Sequence, residues 1–135
     1  EFDTGNFVKA LELYQSMVQE HPNDFVSQAK IGWIYHLQDN FHESEKNLLA
    51  AIAGDATKFQ FFYWLAEIYW KKGGDYHADK NFILTNLLRS AKLNPSSSAT
   101  FASLGRYYEK IVSDKERAKR CYQKSLLLDP FNELS

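Results

Sequence analysis

Three copies of one short pattern constrain this chain more than anything else in it. Ile31-Gly32-x-x-Tyr35, Leu65-Ala66-x-x-Tyr69 and Leu104-Gly105-x-x-Tyr108 lie 34 and 39 residues apart. A second patch follows each of them: Leu48-x-x-Ala51, Leu87-x-x-Ser90 and Tyr122-x-x-Ser125. The last two patches run on into Leu93-Asn94-Pro95 and Leu128-Asp129-Pro130. A period of this length marks a stack of supersecondary units, each of which buries its apolar faces only against its neighbours.

The order of large, Leu-Gly, Tyr, small, aromatic, small and Pro resembles the tetratricopeptide repeat, TPR. That resemblance implies an all-α, right-handed superhelical solenoid of antiparallel helix pairs, A and B, with a concave binding face. Counting from the first residue of helix A, the pattern divides the chain as follows. Residues 1–24 are a partial repeat, with Gly5-Asn6 in the turn before helix B. Residues 25–58 form a repeat without insertion, although Gln28 stands at the large position and Ala56 replaces the closing Pro. Residues 59–97 form a repeat with an enlarged turn around Lys72-Gly73-Gly74-Asp75-Tyr76. Residues 98–132 form a repeat with one extra residue near Val112-Ser113, and 133–135 begin a truncated one. Incomplete repeats and the lack of an initiator Met suggest a piece cut from a longer array. Such a piece exposes apolar end surface, so self-association of the isolated fragment is expected.

Packing explains these residue types. Gly or Ala at position 8 and small residues at 20 and 27 allow helices to approach to ~8–10 Å. Large residues at positions 4, 11 and 24 fill what remains. Two caps can be read as well: Ser113-x-x-Glu116 as a capping box for the last helix, and the Ser96-Ser97-Ser98 run as the cap of the helix before it.

Composition and spacing exclude most chemistry. Sixteen basic and 17 acidic side chains leave a formal charge of −1, too little for a dominant grip on nucleic acid. Lys115, Arg117, Lys119, Arg120 and Lys124 do form a basic run, read mainly as a solvated outer surface, with RNA contact as the less favoured alternative. The lone Cys121 has no internal disulfide partner and reads as a packing residue. His21, His36, His42 and His77 show no metal-ligand spacing. Gly73-Gly74 lacks the Gly-Lys that would complete a phosphate-binding loop. No apolar run reaches the ~18 residues of a membrane span. The expectation is therefore a non-enzyme, with no catalytic residue, cofactor or metal.

Residues 59–132 carry more than the generic pattern. Tyr63-x-Leu65-Ala66-x-x-Tyr69-Trp70 is followed by a long turn with Asp79-Lys80, then by Asn86-Leu87-Leu88-x-x-Ala91-x-Leu93. Next come Leu104-Gly105-Arg106-Tyr107-Tyr108 and Asp114-Lys115-x-Arg117-Ala118-x-x-Cys121-Tyr122-x-Lys124. This pair of repeats resembles the large TPR scaffold subunit of the Ski (superkiller) complex. The resemblance implies a very long TPR parent that assembles with an RNA helicase and WD-repeat propeller subunits. It also implies support of exosome-mediated 3′-to-5′ mRNA decay, in the cytoplasm with a nuclear pool also allowed. The alternative is a TPR module of another multiprotein assembly that binds an extended peptide in its groove.

Helical geometry places positions 2, 5, 9, 12 and 13 of helix A on the concave side. The candidate partner-binding groove is thus Trp33 and His36, then Tyr63, Glu67, Trp70 and Lys71, then Arg106, Glu109 and Lys110. It should be aromatic at its centre and basic toward one end. A two-carboxylate clamp of the kind that chaperone-binding TPR modules use is not expected. Its slots hold Ala29, Trp33, Trp64, Ala99 and Ser103 in place of Lys, Asn and Arg.

Overall fold

The computed structural model describes residues 4–73 and 80–130, and its elements are helical throughout. In chain order they are α1 (Thr4–Glu20), α2 (Phe25–Leu37), α3 (Phe41–Gly54), α4 (Phe59–Gly73), α5 (Lys80–Leu93), α6 (Ser98–Tyr107) and α7 (Lys115–Leu128). A π-helical turn, Tyr108–Val112, extends α6. The pairs α2–α3, α4–α5 and α6–α7 pack as hairpins, α1 rests on α2, and α3–α4 and α5–α6 join successive pairs. This is the all-α TPR solenoid that the resemblance implied.

Short polar side chains start most of these helices. Asp24 accepts from Ser27 N–H at 3.0 Å, Asn40 from Glu43 N–H at 3.3 Å, and Ser97 from Thr100 N–H at 3.2 Å. Each satisfies one of the amide donors that a helix start leaves without an internal partner. The core then runs along the stack: Leu48, Phe61, Leu65, Ile68, Ile83 and Leu87 are buried, and Ala29, Ala51 and Ala66 fill the tight crossings. Small polar residues do the same work. Ser90 and Thr100 are buried and share a 3.0 Å hydrogen bond between hairpins, and Ser125 donates to the Ser98 carbonyl at 2.9 Å.

Glycine is required where helices cross most closely. A Cβ on Gly32 would sit 2.9 Å from Leu48 Cγ and 3.0 Å from the Ser44 carbonyl oxygen, and one on Gly105 would sit 2.7 Å from the Tyr122 ring.

The structure changes three local readings. Gly5 and Asn6 lie inside α1 rather than in a turn. Lys72 and Gly73 end α4 as helix, and the remainder of the expected turn falls in 74–79, outside the described residues. Ser113 is not the cap of α7. Its φ of 61° puts it in the left-handed region that ends a helix, and Asp114 caps α7 by accepting from Arg117 N–H at 3.0 Å.

The extra residue in that repeat has a clear home. In the unexpanded repeat the Tyr35 carbonyl accepts from Asn40 N–H, five residues on, across left-handed Asp39. In the expanded one the equivalent Tyr108 carbonyl accepts from Asp114 N–H, six residues on. The π turn absorbs the added residue within the end of helix A, so α7 keeps its place against Gly105.

Candidate functional site

The first helices of successive hairpins, α2, α4 and α6, set side by side a row of half-buried aromatic rings threaded with ion pairs. Trp33 on α2 stacks on Trp64 of α4, with centroids 5.5 Å apart and planes at 26°. His36, one helical turn along from Trp33, lies 4.5 Å from its ring. Lys71 on α4 reaches back to α2, making a 2.5 Å ion pair with Asp39 and donating to the His36 carbonyl at 3.3 Å. His36, Asp39, Phe41, Ile68, Lys71 and Lys72 enclose a small hollow of about 130 Å³ there.

The next crossing repeats the design with other residues. Arg106 on α6 donates to Glu67 of α4 at 2.8 Å, and its guanidinium stacks 4.1 Å from the Trp70 ring. Ser103 donates to the same carboxylate oxygen at 3.3 Å. The buried Nε of Arg106 has no hydrogen-bond partner. Tyr63 lies in the same cluster: burial and the Glu67 charge push its phenol above its usual range, against Ser103 and Arg106. Trp33, His36, Tyr63, Glu67, Trp70, Lys71 and Arg106 are therefore gathered on one face.

Glu109 and Lys110 are placed differently. Both lie in the π turn, which changes the angular register after Tyr107. Glu109 accepts from the Tyr122 hydroxyl at 2.9 Å and so turns toward α7. It lines a separate open hollow of about 410 Å³ with Lys115, Lys119, Tyr122 and Leu126, among others. Lys110 is exposed. The face also contains residues that the position rule passed over: Trp64, Asp39 and Ser103. Trp64 had a signal, as the neighbour of Tyr63 in an aromatic helix. Asp39 had none, because it enters from the turn rather than from helix A.

Charge on this face is largely self-cancelled, which modifies the expectation of a basic end. Lys71 is spent on Asp39, and Arg106 on Glu67. The Lys71 hydrogen bond and charge hold the Asp39 carboxyl below its ordinary range, so the pair persists into mild acid.

His36 is held down at about 4, first by burial and then by the Lys71 ammonium, against the opposing pull of Asp39. In an unfolded chain the ring protonates near ~6.5. Between those values the unfolded state binds more protons, so stability should fall as pH drops from ~6.5 toward 4. Solvent screens a half-exposed ring, which reduces the expected loss to ~1–2 kcal/mol. Urea unfolding across that range should show a slope that His36→Gln flattens. An identical slope in the variant would assign the acid sensitivity to another group.

Among the described residues no His, Cys, Asp and Glu group could hold a metal ion, and no helix is long and apolar enough to cross a membrane. Cys121 is half-buried, and burial pushes its thiol up, away from a reactive thiolate.

Hairpins stacked through small residues, each pair burying its apolar faces on the next, give this chain the fold of a tetratricopeptide-repeat array. A thermophilic TPR protein of Thermus thermophilus has the same fold, with a TM-score of 0.80 at 18% identity over 96% of this chain and 70% of that one. No protein-family model matches the chain. Among curated proteins it is similar to Superkiller complex protein 3 of Homo sapiens, 30% identical over 125 residues. That match covers 93% of this chain and 8% of the human protein. Tetratricopeptide repeat protein 37 of Xenopus laevis is 33% identical over 98 residues, covering 73% of this chain and 6% of the relative. The chain thus spans less than a tenth of the length of these relatives.

Proposed function

We propose that this chain is one segment of a Superkiller-type scaffold, and that it holds a protein partner along the α2–α4–α6 face without performing chemistry. The observation that carries this reading is the row of half-exposed Trp33, Trp64, Tyr63 and Trp70 with Arg106, the residue types that dominate binding energy at interfaces. Similarity to Superkiller complex protein 3 supports the particular assembly. In that reading the partners are an RNA helicase and WD-repeat propeller subunits, and the complex supports exosome-mediated mRNA decay in the cytoplasm.

Contact with RNA through α7 is less favoured. Arg117 is paired with Asp114 and stacks on Tyr108, while Lys124 lies over the Phe101 ring, so two of the five cations are engaged within the chain.

Trp33→Ala and Trp70→Ala should each weaken capture of purified helicase or propeller subunits by ~10–100-fold, with thermal melting little changed. Biolayer interferometry with immobilised scaffold is the measurement. Wild-type affinity in both variants would remove this face as the interface. Failure of those subunits to bind the unmodified scaffold would favour a TPR module of another assembly.

A further inference from the structure

We infer that the hollow between α1, α2 and α3 is a site for an arginine side chain of a protein partner, with the guanidinium laid over the Tyr35 ring and the Glu43 carboxylate beside it. The hollow holds about 200 Å³, and Gln15, Val18, Gln28, Tyr35, Glu43 and Asn47 line it, among others. Gln28 and Tyr35 stand seven residues apart on one side of α2, and Trp33 projects from the other side, so this site is separate from the α2–α4–α6 face.

Comparison of the repeats explains why the hollow is open. At the large position the second and third hairpins carry Phe62 and Phe101, which pack into the stack, whereas the first carries Gln28. The tyrosine seven residues further on also differs in what covers it. Phe82 stacks on Tyr69, with centroids 5.3 Å apart and planes at 25°. Arg117 lies over Tyr108, 5.1 Å from the ring centroid. Glu43 holds the corresponding place, five residues before Leu48, as Phe82 stands before Leu87 and Arg117 before Tyr122. A carboxylate does not cover a ring in that way, because the face of the π system is itself negative. Among the described residues, Tyr35 is therefore half-buried without the ring or cation that its two counterparts have.

The lining selects the ligand. Gln28 donates to Asn47 Oδ1, and Asn47 donates to the Glu43 carbonyl, so these amides are tied to one another and to the backbone. Among the described residues the Glu43 carboxylate has no ion pair and accepts no hydrogen bond. It is the charged acceptor left on the wall, and it calls for a cation. A planar guanidinium fits better than an ammonium, since it stacks flat on a phenol ring while donating sideways to a carboxylate. The third repeat already uses that geometry: Arg117 lies over Tyr108 and also pairs with the Asp114 carboxylate at 3.7 Å. There the chain supplies ring, cation and carboxylate; in the first repeat it supplies only the ring and the carboxylate.

The test is an NMR titration of the nitrogen-15-labelled chain with two pentapeptides, Gly-Gly-Arg-Gly-Gly and the same sequence with citrulline, the neutral isostere of arginine, at its centre. The arginine peptide should move the amide signals of Tyr35, Glu43 and Asn47, and should bind about tenfold more tightly than the citrulline peptide. Glu43→Gln keeps the shape of the wall and removes its charge, so it should weaken the arginine peptide about fivefold. Glu43→Arg rebuilds the third repeat's arrangement, with the chain's own guanidinium over the ring, and should abolish the shifts while the melting temperature holds or rises. Equal binding of the two peptides, shifts confined to other parts of the chain, or undiminished binding in both variants would overturn the site. None of these results bears on capture of a partner through Trp33 and Trp70, which is measured separately.

Discussion

Replacing Gly32 by leucine should destabilise the fold by about 2–4 kcal/mol, or roughly 10 °C in melting temperature for a domain of this size. The site has no room, because an added Cβ meets Leu48 Cγ at 2.9 Å and the backbone oxygen of Ser44 at 3.0 Å. A side chain could swing aside, but a helix carbonyl cannot, so α3 must move as a unit. The gain in helix propensity over glycine, about 1 kcal/mol, offsets only part of that. Thermal melts followed by far-ultraviolet circular dichroism would measure the effect. A melting temperature equal to the parent's would mean that α2 and α3 are not in direct backbone contact at this crossing.

Phe61→Ala should cost about 3–5 kcal/mol, far more than truncation of either half-exposed tryptophan on the aromatic face. The ring is 2% exposed at the centre of the stack, where α4 meets its neighbours. Truncation removes its burial and leaves a void that helices pinned on both sides cannot close. Leu127 is the natural comparison: at 82% exposure, its change to alanine should shift stability by less than ~0.5 kcal/mol. Urea titrations of both variants would give the contrast through their midpoints, at unchanged slope. Equal losses would contradict the placement of the core along α4.

These two sites differ from the aromatic face in what their residues do. Gly32 and Phe61 act through volume, so their substitution should reduce folding and binding together. Trp33 and Trp70 are half-exposed, so their loss should reduce binding with the fold intact. That separation is what makes the interface reading testable.

Much of the architecture could be read before any coordinates. The small residues at Gly32, Ala66 and Gly105 all mark close helix crossings, because a tight approach excludes a large side chain whatever surrounds it. The Ser97 cap could also be read, since capping depends on a few adjacent residues. The Ser113 reading failed for an equally local reason. Ser113 takes the left-handed end of the π turn, and the cap falls one residue later, on Asp114. Gly5 likewise suggested a turn, yet α1 runs through it, because glycine permits a turn without requiring one.

The candidate face divides along the same line. Which residues share a side of α2 and α4 follows from a period of 3.6 residues, so Trp33, His36, Tyr63, Trp70 and Lys71 could be grouped from the chain alone. That rule carried less well to Glu109 and Lys110, because a five-residue turn replaces the ordinary one from Tyr108 onward.

Repeat spacing and helical periodicity, then, already determined that this protein is a stack of hairpins with aromatic rings along one side, because both are rules about neighbours in the chain. Only the tertiary structure decided how charge is distributed on that side. Arg106 and Glu67 stand 39 positions apart, and Lys71 meets Asp39 across a different crossing. Such pairs form or fail with the stagger between helices, a matter of ångströms that no spacing in the sequence encodes.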